Sequence, residues 1–108
     1  MSGLEWNRKF ALEQTAGDEE LLAELLDLFK DSSAGDFEAL RNGLQADDPA
    51  AVAVAAHSIK GAAASLGLES IRALSWSVEA DARAGSLAAA REHLDELEAL
   101  LREASQLS

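Results

Sequence analysis

From Leu22 to Leu44 one apolar ladder climbs by threes and fours: Leu22, Leu25, Leu26, Phe29, Ser33, Phe37, Leu40 and Leu44. That spacing fits the 3.6-residue turn of an α-helix and not the alternation of a strand. Its register survives Ser32, Ser33 and Gly35, so the pattern predicts one long helix over 18–44, bent near Gly35. The alternative is two helices with a break there. Gly17 and Asp18 mark the start, and Glu19 and Glu20 suit the positive end of a helix dipole. A helix with one apolar stripe must bury it against other elements. With alanine, leucine and glutamate dominant, one proline and no tyrosine, those elements are other helices.

The rest of the chain supplies them. Asp47-Asp48-Pro49 is a boundary, an aspartate at the cap followed by proline at the first helical position. A helix over 49–66 follows and stops at Gly67, a left-handed cap. The next spans 69–84, with Ile71, Leu74, Val78 and Ala82 inward, and Gly85 ends it. Ser86 can cap the last, 87–105, where Leu87, Ala90, Leu94, Leu97, Leu101 and Ala104 form a coiled-coil-like seam. Residues 1–17 are a lead-in with a short helix near Trp6 to Gln14, in which Trp6 and Phe10 share a face and plug one end of the bundle. Short turns make neighbouring helices antiparallel. The expected fold is all-α: an antiparallel up-down four-helix bundle over 18–105, with a short extra N-terminal helix, in a single domain over 1–108.

Charge and composition narrow the function. A formal net charge of −11 makes nucleic acid an improbable partner, since phosphate backbones attract basic faces. No apolar run is long enough for a bilayer and no signal-peptide pattern is present. Cysteine is absent, which excludes disulfides and thiolate metal sites. A dimetal bundle site needs Glu-x-x-His, and Val54 and Ala90 stand where its glutamates belong, so no metal is expected. The default is a soluble, cytoplasmic monomer.

The stretch 49–66, PAAVAVAAHSIKGAAASL, holds one formal charge, Lys60. At about 100° per residue, Val52, Ala55, Ile59, Ala62, Ala63 and Leu66 fall in one core stripe. His57 points almost directly away from it, among Ala50, Ala53, Val54, Gly61 and Ala64, all small and uncharged. Neutral imidazole is a nucleophile near pH 7. Lys60, one turn along, can neutralise an oxyanion at the ring, and Gly61 leaves room for a tetrahedral group. A glycine inside a helix costs about 0.5–1 kcal/mol relative to alanine, so among so many alanines it reads as a steric requirement. The combination suits reversible phosphoryl transfer, which depends on positioning and charge neutralisation.

His57-Ser-Ile-Lys60-Gly61, followed by Ser65-Leu66-Gly67, resembles the H-x-x-K-G-x(5)-G signature of histidine-containing phosphotransfer (HPt) domains. Gly17-Asp18-Glu19-Glu20-Leu21-Leu22 resembles the start of that family's first long helix, and Glu79-Ala-Asp-Ala-Arg-Ala-Gly85 the end of the helix after the histidine. The resemblance spans roughly 6–105. It implies a phosphorelay carrier, not an ATP-dependent kinase, with His57 as phosphoacceptor, Lys60 neutralising charge and Gly61 giving clearance. It also implies response-regulator receiver domains or a hybrid sensor kinase as partners. The receiver would bring the phospho-aspartate and the Mg²⁺, so no cofactor is expected in this chain.

A hairpin about Gly67 sets His57 level with residues near 77–79, which makes Glu79 a candidate to orient the ring. Ser65 is a further candidate to support the site from behind the ring, and Ala53, Val54 and Ala64 are candidate docking residues. His93, among Glu92, Asp95 and Glu96 with no lysine at i+3, reads as an ordinary surface histidine. Trp76 shares a stripe with Arg72, Glu79 and Arg83; it packs under the N-terminal helix or sits on a partner-binding rim, with burial favoured. The Met-Ser start, with no kinase or receiver sequence attached, favours a free-standing shuttle; the alternative is a piece excised from a larger hybrid kinase. The competing function is a non-catalytic docking module of the same fold, which would have no need of His, Lys and Gly at this spacing.

Overall fold

A computed structural model describes residues 3–107. Five helices follow in order: α1 (Arg8–Gln14), α2 (Glu19–Gln45), α3 (Pro49–Ser65), α4 (Glu69–Arg83) and α5 (Ala88–Ala104). The fold is all-α, with no strand among the described residues. The ladder of α2 forms one unbroken helix of 27 residues. At about 1.5 Å per residue that is roughly 40 Å, and it sets the long dimension of the molecule, 42 Å. Asp18 caps it, accepting a hydrogen bond from Leu21 N–H at 3.0 Å. Ser32 and Ser33 turn their hydroxyls back onto carbonyls of the preceding turn, so neither interrupts the helix.

Side-chain pairings fix how the helices lie. Ser58 on α3 reaches Asp36 on α2; His57 on α3 reaches Glu79 on α4. The Ala89 N–H on α5 reaches Asp81 on α4. Arg41 and the turn residue Asp47 reach Glu98 and Arg91 on α5. From Arg41 to Asp47 the number rises while that of the α5 partner falls from Glu98 to Arg91. The buried side chains between them include Leu26, Phe29, Leu40, Val52, Ile59, Ile71, Val78 and Leu97.

The caps follow local chemistry. Asp48 accepts from Ala51 N–H at 3.2 Å with Pro49 beside it, so the chain turns sharply into α3. Gly67 turns the chain again at φ +70. A side chain there would also strike the Asn7 carbonyl, 2.6 Å from an ideal Cβ. At α5, Ser86 Oγ accepts from Ala88 N–H, but Asp81, reaching over from α4, takes the Ala89 N–H at 2.9 Å.

Two expectations need correction. The short helix begins at Arg8, capped by Asn7, and not at Trp6. Trp6 instead lies extended beside Leu68, its indole N–H donating to the Leu66 carbonyl at 2.9 Å. Trp6 and Phe10 therefore do not share a helix face; the tryptophan covers the α3–α4 turn by a main-chain pairing that side-chain periodicity does not encode. Leu74 on α4 and Leu101 on α5 are half-buried against the core, and Ser75 and Leu100 are buried beside them.

Candidate functional site

The buried arc of α3 is wider than one stripe. Ala53 and Ala56 are buried along with Val52, Ala55, Ile59 and Ala63, because α2 packs on one flank of the helix and α4 on the other. Ala53, expected on the docking face, is 6% exposed and offers little surface to a partner. Its methyl is small enough for α4 to close over it. The outer face that remains carries Ala50, Val54, His57 and Gly61, with Ala64 half-buried at its edge. Val54 is 72% exposed.

His57 rises from that face with 60% of its side chain exposed, and its Nδ1 lies 2.9 Å from Glu79 Oε2. Glu79 is the contrast: a carboxylate on the flank of α4 with 6% of its side chain exposed. Burial pushes its pKa up. That push is outweighed by Lys60, then Arg83, then His57, so the carboxyl falls from 4.5 to about 2. At neutral pH Glu79 is ionised and can only accept. The proton of the shared hydrogen bond therefore belongs to His57 Nδ1, which leaves Nε2 unprotonated in the neutral ring.

Two cations stand on the same carboxylate. Lys60 Nζ lies 2.6 Å from Oε1, a close charge-assisted contact on a buried oxygen. Arg83 donates to Oε2 from Nε at 2.9 Å and from Nη2 at 2.6 Å. Two positive charges against one negative leave a local surplus of +1 beside the ring, in a chain whose net charge is −11. Such a centre attracts an anion that the rest of the surface repels.

Gly61 is exposed, and an ideal Cβ built on it meets nothing within 4 Å. Packing within the chain gives no reason for glycine at this position.

The structure thus brings His57, Lys60, Gly61 and Glu79 together. It leaves Ser65 out. The Ser65 hydroxyl donates to the Ala62 carbonyl at 2.8 Å, and the residue faces a groove formed with Leu25, Leu28 and Ser32 of α2, on the flank of α3 away from Glu79. Two turns of helix separate it from the ring. His93 is half-buried, its Nδ1 3.4 Å from Glu96 Oε1, with no cation among its ion-pair partners. Trp76 is 57% exposed, which removes the preference for burial under the N-terminal helix. Arg83 was missed as a site residue. The available signal was its i, i+4 spacing from Glu79, the spacing of an ion pair on a helix surface.

Among the described residues, no cluster of three or more His, Asp or Glu side chains could hold a metal ion. No described helix is long and apolar enough to cross a membrane.

Comparison with known proteins adds the following. The Hpt domain family model matches residues 24–107. Among solved structures, the HPT domain from the Hpt sensor hybrid histidine kinase from Shewanella superposes with a TM-score of 0.76 at 22% sequence identity. The match covers 94% of this chain and 92% of that one. Comparison with curated proteins finds no match.

Proposed function

The chain belongs to the Hpt domain family of phosphorelay histidine-phosphotransfer modules, and on that footing we propose that it carries phosphoryl groups on His57 between receiver-domain aspartates. The observation that carries this reading is the 2.9 Å hydrogen bond from His57 Nδ1 to an ionised, buried Glu79. With Nδ1 so engaged, Nε2 is the ring nitrogen that this reading takes as the nucleophile.

The Nε2 lone pair attacks the phosphorus of a receiver's phospho-aspartate, the N–P bond forms, the P–O bond breaks, and the aspartate leaves as a carboxylate. The Nδ1 proton stays on the ring. Positive charge that develops on the imidazole is balanced by Glu79 across the hydrogen bond, while Lys60 and Arg83 supply positive charge for the phosphoryl oxygens. Gly61 gives the tetrahedral group its space. The reverse step delivers the group to a second receiver. The Mg²⁺ and the acyl phosphate belong to the partner, and this chain has no sequence resembling a nucleotide-binding loop, so we read it as a carrier without kinase activity.

We take the scaffold to be an antiparallel up-down four-helix bundle with the short N-terminal helix as an addition at one end, and residues 1–108 as one domain. The cross-helix pairings from Asp36 to Glu98 support that arrangement. Partner contact would fall on the exposed Val54 and the half-buried Ala64, which flank His57 on a face of small residues.

The test is to mix the protein with a receiver domain carrying labelled phospho-aspartate. Label should move to this chain, resist base and yield to acid. His57→Gln should abolish it and His93→Gln should not. Label that persists after the His57 substitution would overturn the assignment, and binding with no label at all would favour a docking module.

A further inference from the structure

Ser75 on α4 is fully buried, and its hydroxyl finds no hydrogen-bond partner among the described residues. Ser32, Ser33 and Ser65, also inside helices, turn their hydroxyls back onto the carbonyl three residues earlier. Ser75 does not. A sealed, unpaired hydroxyl is costly, and alanine would occupy the same place without that cost. Glu79 stands one turn further along α4, about 40° round the helix axis from Ser75. Long side chains on a helix lean toward its N-terminus, which carries the Glu79 carboxylate back over the turn that holds the serine. On that carboxylate Oε2 receives His57 Nδ1 once and Arg83 twice. Oε1 is buried and faces the Lys60 ammonium at 2.6 Å. A phosphoryl group arriving at Nε2 brings oxygens that compete with Oε1 for that ammonium.

Resting on the reading of His57 as phosphoacceptor and Lys60 as a cation for the phosphoryl oxygens, we propose that Ser75 is a positioning residue, a reserve donor whose hydroxyl bonds to Glu79 Oε1 when Lys60 turns to the phosphoryl group and lets go when Lys60 returns. A buried carboxylate oxygen that loses its cation needs another donor. Ser75 has a proton to give and no competing acceptor holds it. With Oε1 satisfied in both states, Glu79 keeps its place on α4 and its hold on His57 Nδ1, and the ring keeps its orientation through the transfer. The unpaired hydroxyl of the resting chain is then the cost of a hydrogen bond made only when the ammonium leaves.

Phosphoramidate, a small chemical phosphodonor, tests this without a docking partner. Its P–N bond breaks, ammonia leaves, the N–P bond forms at His57 Nε2, and the Nδ1 proton stays on the ring. Ser75→Ala should leave the thermal midpoint of the unlabelled protein unchanged or raised. It should nevertheless cut the initial rate of phosphohistidine formation about tenfold, equivalent to about 1.4 kcal/mol in the barrier. Ser75→Cys, close in volume but a weak donor, should follow the alanine variant. A second measurement needs no label. In Lys60→Met the ammonium is gone from the outset, so Oε1 already depends on the hydroxyl. Adding Ser75→Ala to Lys60→Met should raise the pH at which the Glu79 carboxyl titrates by ¹³C NMR by about one unit, while the same change beside an intact Lys60 should leave that titration where it was. The proposal is overturned if Ser75→Ala or Ser75→Cys labels at the wild-type rate, or if Ser75→Ala moves the Glu79 titration equally with and without Lys60. Should Lys60→Met fail to fold, the labelling rates decide alone. Failure of the wild type to take up label on His57 is a different result, and it removes the carrier reading itself.

Discussion

His57 Nδ1 and Glu79 Oε2 lie 2.9 Å apart, and this one contact joins α3 to α4 at the point where the chain's exposed imidazole meets its most shielded carboxylate. The same hydrogen bond sets the tautomer of the ring and helps keep the carboxyl ionised. Stability and chemistry are therefore coupled at Glu79, and the first prediction concerns both.

The Glu79 carboxyl sits at about 2 in the folded chain against an ordinary 4.5, held down by Lys60, Arg83 and His57 against the upward push of burial. A depressed carboxyl stabilises the fold while it is ionised. The contribution is fully present above pH 4.5 and is lost as the pH falls toward 2. The gap is equivalent to about 3 kcal/mol; discounting for the solvent-facing Arg83 and His57 leaves about 1–2 kcal/mol. Urea midpoints taken from pH 7 down to pH 3 should show this slope in the wild type and a flatter one in Glu79→Gln. The same substitution removes the constraint on the Nδ1 proton and should slow phosphotransfer at neutral pH.

Gly61→Ala separates folding from function. Its methyl meets nothing within 4 Å and the residue lies inside α3, so alanine should stabilise the helix by about 0.5–1 kcal/mol. In a domain of this size that raises the melting midpoint by about 4 °C. Transfer from a phosphorylated receiver should nevertheless fall, because the methyl occupies the space kept clear beside the ring. Calorimetry and a transfer assay on one preparation check both signs, and a variant that is more stable and equally fast would show that the clearance is not used.

Much of this was legible before any coordinates, and the reasons differ by residue. The α2 ladder, the Asp48-Pro49 cap and the Gly67 turn are local signals, written into neighbouring residues and independent of what packs on them. His57 was legible because its helix leaves one angular position far from a clear core stripe. Ala53 was misplaced because a helical wheel knows one core direction, whereas α3 is flanked by two helices and its buried arc is correspondingly wide. Trp6 was misplaced because its partner is the main chain of Leu66 and Leu68, sixty-odd positions away, and no periodicity records such a pairing. Arg83 was overlooked for a related reason: the carboxylate it pairs with meets His57 only when α3 lies beside α4.

Gly67→Ala should be costly where Gly61→Ala is not. Gly67 has a φ of +70, and an added methyl would stand 2.6 Å from the Asn7 carbonyl oxygen. The left-handed conformation costs a non-glycine residue about 1–2 kcal/mol, and the collision adds to it, for a total of about 2–4 kcal/mol. The Asn7 N–H donates to the Gly67 carbonyl at 2.8 Å, so the lead-in that holds Trp6 should loosen first. Trp76 is already exposed; with a Trp76→Phe background, a red shift in Trp6 emission at low urea would report the loosening. An unchanged urea midpoint would mean that the close approach at Gly67 has no energetic weight.

Val54→Gln examines docking in isolation from chemistry. Val54 is 72% exposed one turn before His57, and burial in the fold does not explain an apolar side chain there. If a receiver covers it, exchanging the isopropyl group for a neutral polar chain removes a contact near the centre of the interface. Such contacts are worth about 1–2 kcal/mol, so receiver-driven transfer should fall about fivefold to thirtyfold. The side chain adds no charge, and any effect on labelling by phosphoramidate should be much smaller. The ratio of the two rates is the quantity to measure. A fall in receiver-driven transfer alone places the receiver on the outer face of α3; an unchanged ratio moves the docking surface elsewhere, with the α2 flank bearing the exposed Leu28 next to be probed.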